Sequence, residues 1–135
     1  MIAATAIGIS LFLASLTLHL AMLRLAKKVS PPGLAPALLR LTGGSLLVLI
    51  SHMHVAVILA VGFAWAASLG LGGFAKEPAM SAVDYYHFAL ITVTTVGLGD
   101  IYPTDHLRLI VGIASLTGFI LISCTAQCVY KTMSQ

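Results

Sequence analysis

The sequence predicts an all-α membrane protein of three spanning helices, with one short helix between the second and third that enters the membrane and returns. Three observations carry this. Of the 135 residues, 59% are hydrophobic and 8% charged, whereas soluble domains carry about a quarter charged residues. The apolar residues form three long runs separated by charges and turn residues. Between the second and third runs, a segment too short to span ends in a glycine-bearing break flanked by apolar sequence. A chain of this length has room for about three spans of about 20 residues and none for a separate soluble domain. Regulation is therefore left to the membrane part itself or to an unidentified partner.

The first span covers 2–25 and is closed by Arg24, Lys27 and Lys28. A cleaved signal peptide carries its positive charge before the apolar run; here it follows, which predicts a retained helix with its N-terminus outside. Ser30, Pro31, Pro32 and Gly33 break the helix, and Pro36 suits the first turn of the next. The second span, 38–69, exceeds what a bilayer needs, so it tilts or begins as an interfacial segment near Arg40. It runs outward, with Trp65 at the depth of an interfacial anchor. Gly70 to Gly73 end it, and Lys76, Glu77 and Pro78 form an outer loop.

Ser81 and Asp84 then match a capping box, in which a hydroxyl and an acid three residues later satisfy free N–H groups. A helix over 81–94 is about 21 Å long at 1.5 Å per residue, short of the roughly 30 Å of hydrocarbon. It must go in and come back. Asp100 to Pro103 return the chain outward, and a third span over 106–131 crosses inward. The organisation expected is an N-terminal helix, 1–28, and a membrane module, 29–135.

The net charge of +3 matters less than its distribution. Arg24, Lys27, Lys28, Arg40 and Lys131 mark the inner side, and the four acids Glu77, Asp84, Asp100 and Asp105 the outer side. The basic excess borders hydrophobic spans and gives no support to nucleic-acid binding. Cys124 and Cys128 share a helical face, but without a nearby His or carboxylate they read as small buried side chains rather than a metal site. No nucleophile, base and orienting acid are paired, so an enzyme is not expected.

The break itself reads Thr92-Val93-Thr94-Thr95-Val96-Gly97-Leu98-Gly99-Asp100. Non-helical backbone at membrane depth is tolerated only where it is buried in protein or lines a water-filled path. An ion-selectivity filter is such a path: rings of backbone carbonyls replace the water of a dehydrated ion. Aligning successive carbonyls requires unusual dihedrals at alternate residues, which glycine accepts, and Gly97 and Gly99 have that spacing. The short helix points its negative C-terminal end at the membrane centre, where a cation needs stabilisation. One strand cannot surround an ion, so four copies around an axis, a homotetramer in lipid, are expected.

These residues resemble the tetrameric potassium channel pore family, specifically bacterial two-transmembrane channels, here with an extra N-terminal helix. The likeness covers 81–127 well and 46–65 loosely. The family signature Thr-Thr-Val-Gly-Tyr-Gly-Asp stands here as Thr94 to Asp100 with Leu98 in place of tyrosine. The resemblance implies a bacterial cell-membrane channel passing K⁺ as permeant ion, with no organic cofactor. It implies that the carbonyls of Thr95, Val96, Gly97 and Leu98, with the Thr95 hydroxyl, line a filter that Gly99 completes. Leu98 loses the hydroxyl that braces the filter from behind. The supporting positions become His87, Phe88 and Ile91, with a His87 to Asp100 hydrogen bond that would respond to external pH between about 5 and 8. Aligned on Arg108, Gly118 falls at the inner-helix hinge, with close helix packing as its other reading. Spacing from it turns Phe119, Ile122 or Ser123, and Ala126 toward a cavity.

His52 and His54 lie mid-span, about 200° apart on a helix, so they cannot chelate one ion together. A neutral imidazole bonded to a neighbouring helix is the expected state for both, and also for His19. His106 reads as an interfacial residue at a helix start. The rival classes are a weakly selective cation channel, an accessory pore subunit, and a haem- or quinone-linked electron carrier using His19, His52 and His54. The sequence holds no run of spaced arginines for voltage sensing, names no gating stimulus, and leaves the packing position of the first helix open.

Overall fold

In a computed structural model the chain is described at residues 1–29, 37–77 and 79–133. The break at Ser30 to Gly33, Pro36 and Pro78 lie outside the described residues. The elements run α1 (Ile2–Val29), α2 (Ala37–Ser68), β1 (Phe74–Ala75), α3 (Ala82–Val93), β2 (Tyr102–Pro103) and α4 (Leu107–Met133). Three of these helices, α1, α2 and α4, are long and apolar enough to cross a membrane. Helix α3, with 12 residues, is about 18 Å long at 1.5 Å per residue.

Helix α1 packs against both α2 and α4 of its own chain. Its seating uses small residues: a side chain at Gly8 would meet Ile113, and one at Gly62 would meet Leu11. The core lies between α2, α3 and α4, where Val55, Leu59, Phe63, Phe88, Val93, Leu107, Ile110 and Leu121 are buried. An aromatic cluster fixes one end of this core. Phe88 meets Phe63 and Phe74 edge-on at centroid distances of 5.7 and 4.9 Å, and Phe74 meets Tyr85 at 5.6 Å. Such contacts add to the area term of burial.

The two-residue strands β1 and β2 pair antiparallel, Phe74 with Pro103 and Ala75 with Tyr102. Thr104 extends the link, its N–H donating to Gly73 O at 2.9 Å while its Oγ1 accepts from Gly73 N–H at 3.0 Å. This small clasp was not expected from an all-helical reading. It ties the segment before α3 to the segment after the glycine break, so both approaches to that break are held at one place.

Candidate functional site

The site begins with the start of α3. Ser81 Oγ accepts from Asp84 N–H at 3.3 Å, and Asp84 Oδ2 accepts from Ser81 N–H at 2.8 Å and from Ser81 Oγ at 2.7 Å. The capping box is therefore formed as the sequence predicts. These bonds, the Ser81 hydroxyl first and its backbone N–H second, hold the Asp84 carboxyl below its usual range.

At the other end, α3 closes onto the glycine segment through main-chain bonds. Thr95 N–H donates to Thr92 O at 3.1 Å, and the N–H groups of Val96 and Gly97 both donate to Ile91 O, at 3.1 and 3.2 Å. Ile91 thus contributes to this segment through its carbonyl. Beyond it, Thr95, Gly97 and Gly99 have φ of 58°, 54° and 75°, so every second residue is left-handed. Glycine accepts this region freely. Thr95 does not, and its presence there was not anticipated; an L-residue in this conformation costs roughly 1–2 kcal/mol.

The consequence is directional. The N–H groups of Thr95, Val96 and Gly97 turn back to α3, while among the described residues no hydrogen bond uses the carbonyls of Thr95, Val96, Gly97 or Leu98. All residues from Thr94 to Asp100 are exposed in the single chain, Val96 and Leu98 at 60% each. Behind them lies a cavity of about 280 Å³, bounded by Phe88 and Ile91 on α3 and by Val111 and Ser115 on α4.

His87 and Asp100 are not brought together within the chain. Asp100 Oδ1 accepts from its neighbour Ile101 N–H at 2.9 Å, and the exposed His87 acts electrostatically on Asp84. The side chain that does reach the segment is Lys76. It has φ of 71° and its Nζ donates to Gly99 O at 3.4 Å, lying 5.7 Å from the centroid of the Tyr102 ring. The β1–β2 clasp places it there, and no local sequence signal announced it.

Gly118 faces the C-terminal end of α3 so closely that a Cβ would collide with the Val93 carbonyl. The close-packing reading of this glycine therefore has a named partner. Phe119, Ile122 and Ala126 lie on the exposed side of α4, away from the buried Ile110, Ala114 and Leu121.

The histidines settle into hydrogen bonds. His52 Nδ1–H donates to Val48 O at 2.9 Å and His54 Nδ1–H to Ile50 O at 2.8 Å. Both partners are carbonyls of their own helix, not of a neighbour as expected. His19 is buried and bonded through Nδ1 to Ser51 Oγ at 2.8 Å and through Nε2 to Thr125 Oγ1 at 3.0 Å. Its ring meets His52 edge-on at 4.9 Å. With both His19 nitrogens engaged and the rings edge to face, this pair does not present two nitrogens to one iron. Among the described residues, no group of three or more His, Cys, Asp or Glu side chains could hold a metal ion.

Neither the comparison with curated proteins nor that with solved structures yields a match. The family described as ion channel matches residues 52–135, from the middle of α2 through the glycine segment and α4. That is more than half of the chain, and it leaves α1 and the start of α2 ahead of the matched region. A multi-pass arrangement of three apolar helices around a segment of unbonded carbonyls agrees with it: this membrane protein belongs to the ion channel family.

Proposed function

We propose that four copies of this chain assemble in a cell membrane as a potassium-selective channel, with Thr95 to Gly99 of each copy forming one wall of the filter. The observation that carries the reading is the left-handed alternation at Thr95, Gly97 and Gly99. It turns amides toward α3 and leaves successive carbonyls unbonded, as a carbonyl-ring filter requires. K⁺ is the permeant ion, shedding water at the Leu98 and Gly97 carbonyls and passing to Val96 and Thr95. Helix α3 is re-entrant in this reading, since 12 residues cannot cross about 30 Å of hydrocarbon. Its C-terminal carbonyls then face the membrane centre and stabilise the dehydrated cation. Lys27, Lys28 and Lys131 lie inside, the N-terminus outside.

In this assembly Phe119, Ile122 and Ala126 line the inner cavity and Gly118 is the point at which α4 bends. The filter is supported by the Ile91 carbonyl, by packing of Phe88, and by the clasp that carries Lys76.

The test is potassium flux into liposomes containing the purified protein, with barium block and a Gly97→Ala control. Barium-sensitive flux that the control lacks supports the reading; equal flux in the control sinks it. A weakly selective cation channel is the second reading, favoured by the exposure of Leu98, which supplies no hydroxyl to brace the filter. The potassium-to-sodium permeability ratio separates the two.

A further inference from the structure

Among the described residues, a buried polar link joins all three spanning helices. His19 of α1, buried completely, bonds Ser51 of α2 at 2.8 Å and Thr125 of α4 at 3.0 Å. A neutral imidazole offers one donor and one acceptor, and either hydroxyl can fill either role, so both bonds are satisfied together. Polar groups inside a membrane are expensive and mark functional positions. Beside this link sit two buried polar atoms with no partner among the described residues, Ser15 Oγ and His52 Nε2. Ser15 is one helical turn from His19 on the same face of α1, and the His52 ring touches that of His19.

Thr125 lies on α4 seven residues beyond Gly118, about 10 Å along the helix at 1.5 Å per residue. Here α4 is a continuous helix through both residues. A kink of about 20° at Gly118 would carry Thr125 sideways by about 3–4 Å, more than a hydrogen bond tolerates. The bond to His19 therefore exists only while α4 is straight.

We propose that His19 is a positioning residue for the inner helix. It clasps the C-terminal half of α4 to α1 and α2, so that the first helix, which lies outside the matched channel region, sets the balance between a straight and a bent α4. This rests on the channel reading above and on Gly118 as the bending point. A hydrogen bond between membrane helices changes an equilibrium by about three-fold on average, and by about sixty-fold where four subunits move together.

Single-channel recording in bilayers tests this with Thr125→Val, which keeps the shape and removes the hydroxyl, Thr125→Ser, which restores it, His19→Leu, and the Thr125→Val/His19→Leu double variant. The expected result is open probability raised by each single loss and no further by the double, with Thr125→Ser close to wild type and with permeability ratio and unitary conductance unchanged. An open probability that stays level or falls in Thr125→Val, or single effects that multiply in the double, overturns the proposal. Should His19→Leu not assemble, the Thr125→Val and Thr125→Ser pair decides alone. Maleimide labelling of the native Cys124, next to Thr125, is a readout independent of conduction. Faster labelling in Thr125→Val supports the clasp even if no current is found and the channel reading itself fails; unchanged labelling overturns the clasp whatever the currents.

Discussion

Both nitrogens of the buried His19 are bonded to other helices of the same chain, whereas the carbonyls from Thr95 to Leu98 are exposed and accept nothing from the described residues. The two regions differ in what completes them. Around His19, α1, α2 and α4 supply both partners of the imidazole. After α3, the chain supplies partners for the amides of Thr95, Val96 and Gly97 and, among the described residues, none for the carbonyls from Thr95 to Leu98. A backbone so arranged is stable in a membrane only if something else faces the carbonyls, and in the channel reading that is a column of cations shared with other copies.

Two glycines break or sharpen this contrast with the largest effects. At Gly97 (φ 54°) an added Cβ would meet nothing within 4 Å, so the cost of Gly97→Ala is purely conformational, about 1 kcal/mol per chain. In a four-fold filter these costs add, and flux is expected to fall about 10³-fold while the thermal stability of the helical core stays within about 1 kcal/mol of wild type. At Gly118 the reverse holds. A Cβ there strikes the Val93 backbone, and Gly118→Ala is expected to cost about 1–3 kcal/mol through overpacking, read as a lower Tm in detergent. Equal loss of stability in both variants would mean that the glycine segment is packed within its own chain after all.

The difference also explains what the sequence made legible. Spans could be read because long apolar runs carry one meaning in a chain with 8% charged residues. The start of α3 could be read because Ser81 and Asp84 interact locally, and the glycine segment because its dihedral needs are written in Gly97 and Gly99. Contacts between distant residues could not. His19 and Thr125 are separated by 106 positions, and the two-residue β strands are too short to show alternation. Lys76 reads as an outer-loop cation until the β1–β2 pairing places it beside Gly99. His87 and Asp100 do not bond within the single chain, where Asp100 accepts from its neighbour Ile101 N–H; a family position predicts where a side chain starts, not which acid it meets.

A smaller effect tests the entry to the site. Ser81→Ala removes the N-cap of α3 and is expected to destabilise the fold by about 1 kcal/mol. It also changes the acid limb of stability. Because the Asp84 carboxyl titrates below its usual value of 3.8 when folded, its contribution is complete above that value and is lost as pH falls through the lower folded one. Thermal melts from pH 5 downward are therefore expected to be flatter in Ser81→Ala than in wild type. A parallel pair of curves would show that Ser81 is not what holds Asp84 ionised.

The smallest expected effect concerns Lys76, where the two regions' logic meets, since this is the only side chain among the described residues to bond a carbonyl of the segment from Thr95 to Gly99. The bond is long, 3.4 Å, and exposed, so Lys76→Met should leave stability within the range of about 0–1 kcal/mol typical of surface charges. Its consequence in the channel reading is electrostatic: an ammonium beside the Gly99 carbonyl lowers the local concentration of entering cations. Removing it is expected to raise inward unitary conductance less than about two-fold at 10 mM salt, where the screening length is about 30 Å, and hardly at all at 1 M, where it is about 3 Å. A rise that persists at 1 M would mean that the contact with Gly99, not the field, limits entry. A fall at both concentrations would mean that Lys76 braces the filter mouth in place of the missing tyrosine hydroxyl, and that the glycine segment is less dependent on its neighbours than the unbonded carbonyls imply.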